Sequence, residues 1–217
     1  EMVVHRRGWV RRAFTLVELL VVMAVLAALA GLLLPALRSA VNSARRTTCL
    51  GNLGQVGMGF QSYLQDAGEV FPAADDPVSA NPMFWLWMGR GWRPLLAPYL
   101  AEPKVFWCPT DTGAVAKFET TSYAYSMAFY HSPEQINSMT TAAATYSNPQ
   151  PTIPQRLARV RLPGQKVLAG EWTSNHRAAP GDNGWWNWSG ARNMLFVDGH
   201  AVFCDAEGIL PANDGFP

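Results

Sequence analysis

The stretch that decides the fold is residues 11–37, RRAFTLVELLVVMAVLAALAGLLLPAL. From position 14 onward its only polar side chains are Thr15 and Glu18, and its one proline is Pro35. These last 24 residues, at about 1.5 Å each, predict a helix roughly 36 Å long. A helix of that length is long enough to cross a hydrocarbon layer of about 30 Å. The sequence therefore predicts a membrane-spanning segment close to the start of the chain.

The residues before this segment indicate its orientation and processing. Two arginine pairs, Arg6-Arg7 and Arg11-Arg12, stand immediately before it. Because such residues stay on the cytoplasmic side, the part that follows the helix is expected outside the cytoplasm. An ordinary secretory signal is shorter and is cut after its apolar core. Here the small residue Ala13 lies before the core, which favours a cut that leaves the helix on the mature protein.

Glu18 and Pro35 are unusual in this apolar run. A carboxylate at membrane depth is costly and indicates a function that a plain anchor does not need. Pro35 removes one backbone hydrogen bond, so it should bend the helix without ending it. The helix is expected to continue to Gln65, with Asp66-Ala67-Gly68 as its stop. Its second half has apolar residues at helical spacing, namely Leu50, Leu53, Val56, Phe60 and Leu64.

Residues 13–22, AFTLVELLVV, resemble the prepilin cleavage and methylation motif of type IV pilins and type II secretion pseudopilins. In that family a peptidase cuts before the Phe and methylates the new amine. The resemblance implies a processing site between Ala13 and Phe14, and it implies that Glu18 and Pro35 serve assembly. The family usually has Gly where Ala13 stands. The resemblance further implies that prepilin peptidase and other pilin or pseudopilin subunits are partners of this chain, first in the inner membrane and then in a filament.

The rest of the sequence predicts an α+β fold. Three parts are expected: a leader at 1–13, a transmembrane and assembly helix at 14–37, and a globular pilin-like domain at 38–217. Asp198-Gly199 between two apolar runs is a strong hairpin signal, since Gly tolerates the positive φ of the turn. A long N-terminal helix followed by antiparallel strands is an α+β pattern. The resemblance to pilins implies that the second half of this helix packs on a small antiparallel sheet. The predicted strands are Ser122–Phe129, Lys166–Gly170, Met194–Val197 and His200–Phe203.

Two segments are expected to lie outside the regular elements. Residues 69–104 are predicted to be rich in loops, with a short buried segment at 84–88. Residues 132–155 are rich in Thr, Ser, Asn and Pro, so they are predicted to form an exposed loop. Within this loop a helical turn is expected at 139–145.

Several segments of the globular part resemble a pilin-like family, abundant in planctomycete-type bacteria, that carries a C-terminal H-X9-DG domain. Its His stands ten residues before the Asp of the terminal motif, where this chain has Trp188. The matching segments are 45–57, 105–111, 122–126 and 193–200. This second resemblance implies a disulfide between Cys49 and Cys108, since these two cysteines lie inside matching segments. A Cys108–Cys204 bond is the alternative.

Composition excludes some classes of function. The formal net charge is +1, from 17 basic and 16 acidic residues, and removal of the four arginines and one glutamate of the leader leaves −2. No basic surplus therefore suggests nucleic acid as a partner. The three cysteines form no CxxC pair, which gives a zinc finger no support. His5, His131, His176 and His200 are isolated in sequence, so we expect neither a catalytic activity nor a bound cofactor.

Two further features have competing interpretations. Asp198-Gly199-His200 is interpreted first as a structural turn and second as a metal site, in which Asp182 or Glu171 would join Asp198 and His200. Oxygen ligands of that kind suit Ca²⁺. The other feature is the aromatic cluster, which serves either as packing or as a glycan-binding face. Its members are Trp185, Trp186 and Trp188.

Two functions fit these observations. The first is a structural pilin or pseudopilin subunit of a type IV pilus or a type II secretion-like filament, whose globular domain is periplasmic or extracellular. The second is an inner-membrane-anchored extracytoplasmic binding module that uses its Trp-rich face on glycans. Glu18 discriminates between them, because only a subunit that assembles needs an acid in the apolar run.

Overall fold

The computed structural model describes residues 15–73, 91–111, 121–138, 152–182 and 188–205. The short buried piece expected at 84–88 and the helical turn expected at 139–145 lie outside these residues. By backbone proximity the chain divides into two compact units, residues 1–41 and residues 42–217.

One long helix, α1, spans Leu16–Asp66 and continues through Pro35, as the sequence predicts. Its end is set locally, because Gly68 adopts a φ of 62°, which glycine tolerates and a continuing helix does not. In the first unit the large apolar side chains of α1 are exposed, from Leu16 to Val41. By length and composition this part of α1 is able to cross a membrane.

In the second unit α1 buries one face. The buried large side chains recur every three or four residues, which places them on one stripe of the helix. They are Cys49, Leu53, Val56, Phe60 and Leu64. The predicted stripe is confirmed except at Leu50, which is only half-buried. Gly57 and Gly59 lie on the same stripe, and a Cβ on Gly57 would stand 2.8 Å from Leu195 Cδ1. The absent side chain at Gly57 therefore lets the helix approach the sheet closely.

In the part of the chain that the structure describes, the sheet has four antiparallel strands in the order β1-β2-β3-β4. Its pairings include Tyr123 with Glu171, Gly170 with Met194, and Asn193 with Phe203. The strands are β1 Tyr123–Tyr125, β2 Val167–Glu171, β3 Ala191–Phe196 and β4 Ala201–Asp205. The α+β prediction is confirmed, with a long N-terminal helix and a small antiparallel sheet.

The first strand is shorter than predicted. The sequence predicted a strand over Ser122–Phe129, but the chain leaves β1 after Tyr125 and forms a 3₁₀ turn at Met127–Phe129. The reason is a competing partner, because the carbonyl of Phe129 accepts a hydrogen bond from Gln155 N at 2.9 Å. The returning segment 152–157 therefore takes up backbone groups that a longer β1 would have offered to β2.

An aromatic core joins the second half of α1 to the sheet. Phe60 stacks on Trp92 with ring centroids 5.6 Å apart and meets Tyr125 of β1 at 5.2 Å. Aromatic pairs at such distances add to the stabilisation that burial alone supplies. Within the described ranges, short helices also lie at Arg93–Leu96 and Pro133–Ser138, with 3₁₀ turns at Ala97–Tyr99, Pro103–Phe106 and Leu157–Arg159.

Candidate functional site

The first turn of α1 contains a reciprocal pair of hydrogen bonds. The carboxylate of Glu18 accepts from Thr15 N at 2.9 Å, and Glu18 N donates to Thr15 Oγ1 at 3.2 Å. This Thr-x-x-Glu arrangement is a capping box, which satisfies backbone donors that have no partner at the start of a helix. Glu18 therefore has a local structural role besides any role of its charge. Ala13 and Phe14, the expected processing site, lie outside the described residues.

Cys49 and Cys108 form a disulfide bond, with their Cα atoms 5.0 Å apart. This is the pairing that the family resemblance implied, and the alternative partner Cys204 is a free, half-buried thiol. The bond ties α1 to the segment that follows the 3₁₀ turn Pro103–Phe106. Closing a loop across 59 positions stabilises the fold by about 4 kcal/mol in the chain-entropy model.

Two ionisable side chains border the disulfide inside the protein. Glu171, at the end of β2, is fully buried and accepts hydrogen bonds from Asn193 N at 2.9 Å and Asn193 Nδ2 at 3.2 Å. His176 Nε2 lies 3.1 Å from Glu171 Oε1 and 3.3 Å from Cys108 Sγ. A catalytic relay needs the acid and the nucleophile on opposite ring nitrogens. Here one nitrogen faces both groups, so the arrangement is not a nucleophile–base–acid relay.

A buried ion pair lies next to this cluster. The guanidinium of Arg192, which is fully buried, pairs with Asp182, and its Nε donates to Ser174 Oγ at 3.1 Å. Burial lowers the pKa of Arg192 to about 10, although the nearby Asp182 carboxylate acts to raise it. The Asp182 carboxylate also accepts from Ser174 N at 2.9 Å. The pair thus holds Ser174 and Asp182 against β3.

The indole of Trp188 packs on this ion pair, with the Arg192 guanidinium 4.9 Å from the ring centroid. Only 8% of Trp188 is exposed. Of the two interpretations of the aromatic cluster, Trp188 favours packing over a glycan-binding face, because its ring is buried against a cation. Trp185 and Trp186 lie outside the described residues.

Asp198, Gly199 and His200 form the turn between β3 and β4. Gly199 has a φ of 92°, and its N–H donates to Phe196 O at 3.0 Å. Asp198 Oδ1 accepts from His200 N at 3.1 Å and lies 2.6 Å from His200 Nδ1. Partial burial acts to raise the pKa of Asp198, but the hydrogen bonds from His200 bring it below its ordinary value. The turn is thus stabilised by its own side chains.

The side chains that were expected as Ca²⁺ ligands do not come together at this turn. Among the described residues, no third His, Cys, Asp or Glu side chain joins Asp198 and His200 in a metal-sized group. The other two candidates are engaged elsewhere, because Asp182 pairs with Arg192 and Glu171 is held by Asn193. The structure therefore does not bring Asp182 or Glu171 together with Asp198 and His200.

Sequence reasoning missed the convergence of His176 and Glu171 on the disulfide. One signal was available: Glu171 closes the apolar run VLAGE, and a carboxylate in a buried strand needs a partner. The spacing of Thr15 and Glu18 could also have revealed the capping box, since it is a known pattern at helix starts.

Comparison with known proteins gives one finding. Residues 10–34 match the family described as "Prokaryotic N-terminal methylation motif". No curated protein and no solved structure gave a significant match. The matched region contains the predicted processing site, Glu18 and most of the exposed apolar part of α1. The match supports a pilin- or pseudopilin-like protein, and it supports the predicted prepilin motif on a transmembrane helix.

Proposed function

We propose that this protein is a structural pilin-like subunit. Prepilin peptidase cuts it between Ala13 and Phe14, and the mature chain then enters a type IV pilus or a type II secretion-like filament. One observation carries the proposal: the first half of α1 exposes a continuous apolar surface with a single carboxylate, Glu18, in its first turn. Such a surface needs a lipid or helix neighbour, and a plain lipid anchor does not need the acid.

The charge of Glu18 is the part of this surface that would set the register of assembly. Cleavage before Phe14 creates a positive amine four residues from Glu18. In a bundle of such helices, the acid of an incoming subunit pairs with the amine of the subunit already docked. A low dielectric strengthens this attraction, and a wrong axial register leaves a charge without its partner. Repeated head-to-tail contacts of this kind build an open helical filament.

The capping box gives Glu18 a competing role that the experiment must separate from its charge. Glu18→Gln removes the charge, yet Gln still serves at this position of a capping box. Thr15→Ala removes the cap hydroxyl and leaves the acid in place. Glu18→Leu removes both functions. All three variants are compared with the wild type for membrane insertion, for cleavage by N-terminal mass spectrometry, and for cross-linking between neighbouring subunits.

If charge pairing sets the register, Glu18→Gln and Glu18→Leu are inserted and cleaved normally but fail to cross-link into filaments, whereas Thr15→Ala assembles. Assembly of Glu18→Gln at the wild-type level would overturn the register argument. Loss of assembly in Thr15→Ala, together with assembly of Glu18→Gln, would assign the requirement to the cap. A mature chain that still begins before Arg11, in cells with active prepilin peptidase, would overturn the processing step.

We also infer a single-pass inner-membrane topology for the newly made subunit, with the second unit periplasmic or extracellular. The arginine pairs before α1 support this orientation. A relation to the planctomycete-type H-X9-DG family is part of the proposal and is supported by the matching segments and by the turn at Asp198-Gly199. The anchored glycan-binding module is less favoured, since Trp188 packs inside the protein.

A further inference from the structure

We propose that the reduced protein binds one Zn²⁺ ion between α1 and the sheet. The ligands are the Cys49 and Cys108 thiolates, His176 Nε2 and a Glu171 carboxylate oxygen. The disulfide and the zinc ion are then two alternative links between the same elements. This inference is independent of filament assembly, since all four residues lie in the second unit.

The donor atoms already converge on one point. The two sulfurs, the ring nitrogen and a carboxylate oxygen all lie within 4.8 Å of one another. In a tetrahedral zinc site, bond lengths of about 2.0–2.3 Å place neighbouring ligand atoms roughly 3.3–3.8 Å apart. His176 Nε2 is 3.1 Å from Glu171 Oε1 and 3.3 Å from Cys108 Sγ. Small side-chain movements therefore suffice to receive the ion once the sulfurs separate.

The orientation of the imidazole favours a metal over a proton relay. The same nitrogen, His176 Nε2, faces both the sulfur and the carboxylate, as it must when several ligands surround one cation. Glu171 is also held as a ligating carboxylate usually is, because Asn193 donates to it from both its N–H and its Nδ2.

The four ligands come from separate parts of the fold, which gives the site a structural consequence. Cys49 lies on α1, Cys108 follows a 3₁₀ turn, Glu171 ends β2, and His176 lies in the loop after β2. All four side chains are buried, with the His176 side chain 1% exposed and that of Glu171 0%. Zinc in a closed site of this kind contributes directly to folding stability.

The chemistry balances when a reductant is supplied. A protein dithiol donates two electrons and two protons to the Cys49–Cys108 bond and becomes a disulfide itself. In vitro, a phosphine and water do the same and yield two thiols and a phosphine oxide. Zn²⁺ then displaces both thiol protons as it binds. Thiolate ligands favour zinc over Ca²⁺ and Mg²⁺, which prefer oxygen.

The test uses the full chain, purified in detergent, in oxidised and phosphine-reduced forms. Each form receives a slight excess of ZnCl₂ and is passed through a desalting column. Bound zinc is counted by mass spectrometry, and thermal unfolding is followed by circular dichroism. We expect the reduced form to retain one zinc per chain and to unfold at a higher temperature than the reduced, zinc-free form. The oxidised form should retain none.

Variants identify the ligands. Cys204→Ser is the matched control, because it removes a thiol outside the site and should retain zinc like the wild type. His176→Gln preserves much of the side-chain volume and should weaken zinc binding by at least about tenfold. Co²⁺ gives a second measurement, since thiolate ligation produces a charge-transfer absorption that the oxidised protein should lack.

Three results would overturn the proposal: equal zinc retention by the oxidised and reduced forms, no retention by the reduced wild type, or loss of retention in Cys204→Ser. The comparison of the two wild-type forms requires no variant to fold. If reduction unfolds the chain, zinc should restore the helical signal, and failure to do so counts against the site.

Discussion

Gly57 is the position where adding one carbon should have the clearest effect. It lies on the buried stripe of α1, and a Cβ there would stand 2.8 Å from Leu195 Cδ1 and 3.6 Å from Gly199 O. Leu195 is fully buried, so its side chain has little room to move away. Gly54, one turn earlier on the same helix, has nothing within 4 Å of the same point. The two glycines form a matched pair that differs in packing and not in helix context.

The expected magnitudes follow from two opposed effects. Replacing Gly by Ala inside a helix stabilises it by about 0.5–1 kcal/mol, and this gain applies to both positions. At Gly57 the extra carbon also overpacks the core, which costs about 1–3 kcal/mol. We therefore expect Gly54→Ala to raise the free energy of unfolding and Gly57→Ala to lie about 1–3 kcal/mol below it. For a chain of this size the difference corresponds to about 2–12 °C in Tm.

The assay is thermal unfolding of the full-length chain in detergent, followed by circular dichroism and by tryptophan fluorescence. A double-variant cycle adds a sharper check, because Leu195→Ala removes the methyl group that the new Cβ meets. In the Leu195→Ala background, Gly57→Ala should cost less than in the wild type. Equal melting temperatures for Gly57→Ala and Gly54→Ala would refute the claim that α1 and β3 are in close contact at this position.

Three further predictions concern the second unit. Asp182→Asn should lower the free energy of unfolding by about 3–5 kcal/mol in urea titrations, because it leaves Arg192 charged and buried. Asp205→Asn is the control, since Asp205 pairs with Arg177 at the surface, and it should lower the free energy of unfolding by at most about 1 kcal/mol. Burial acts to raise the pKa of Asp182, but the Ser174 N–H and the Arg192 charge lower it overall. The ionised carboxylate therefore stabilises the wild type at neutral pH, and this stabilisation should be lost as the pH falls below about 4. Asp182→Asn should not show this pH-dependent loss of stability. Burial raises the pKa of Cys204 to about 11, and the charge of Glu171 adds to this effect. Because only the thiolate reacts, alkylation of Cys204 at pH 8 should be about 100-fold slower in the folded protein than in urea. Gly199→Val should cost about 1–3 kcal/mol because of the φ of 92°; unchanged stability together with loss of a Ca²⁺-dependent shift in Tm would favour a metal role for this turn.

Much of the fold could be predicted because its signals are local. The apolar run, the spacing of Leu53, Val56 and Phe60, and the Asp198-Gly199 turn each act over a few residues. A helix period and a turn dipeptide depend on backbone geometry that the neighbouring residues impose themselves. The same holds for the match at residues 10–34, which lies within one continuous segment.

The tertiary structure alone decided which distant side chains meet. Cys108 and His176 are 68 positions apart, yet their Sγ and Nε2 atoms lie 3.3 Å apart. Their meeting depends on the registry of β2, on the course of the loop after it, and on the close approach of α1 that Gly57 permits. Trp188 illustrates the same limit. The sequence left packing and a glycan-binding face open for it, and the buried Arg192 on which it packs could not be identified from any sequence period. Contacts of this kind arise from packing between residues that are far apart in the sequence, so they cannot be predicted from periodicity and spacing.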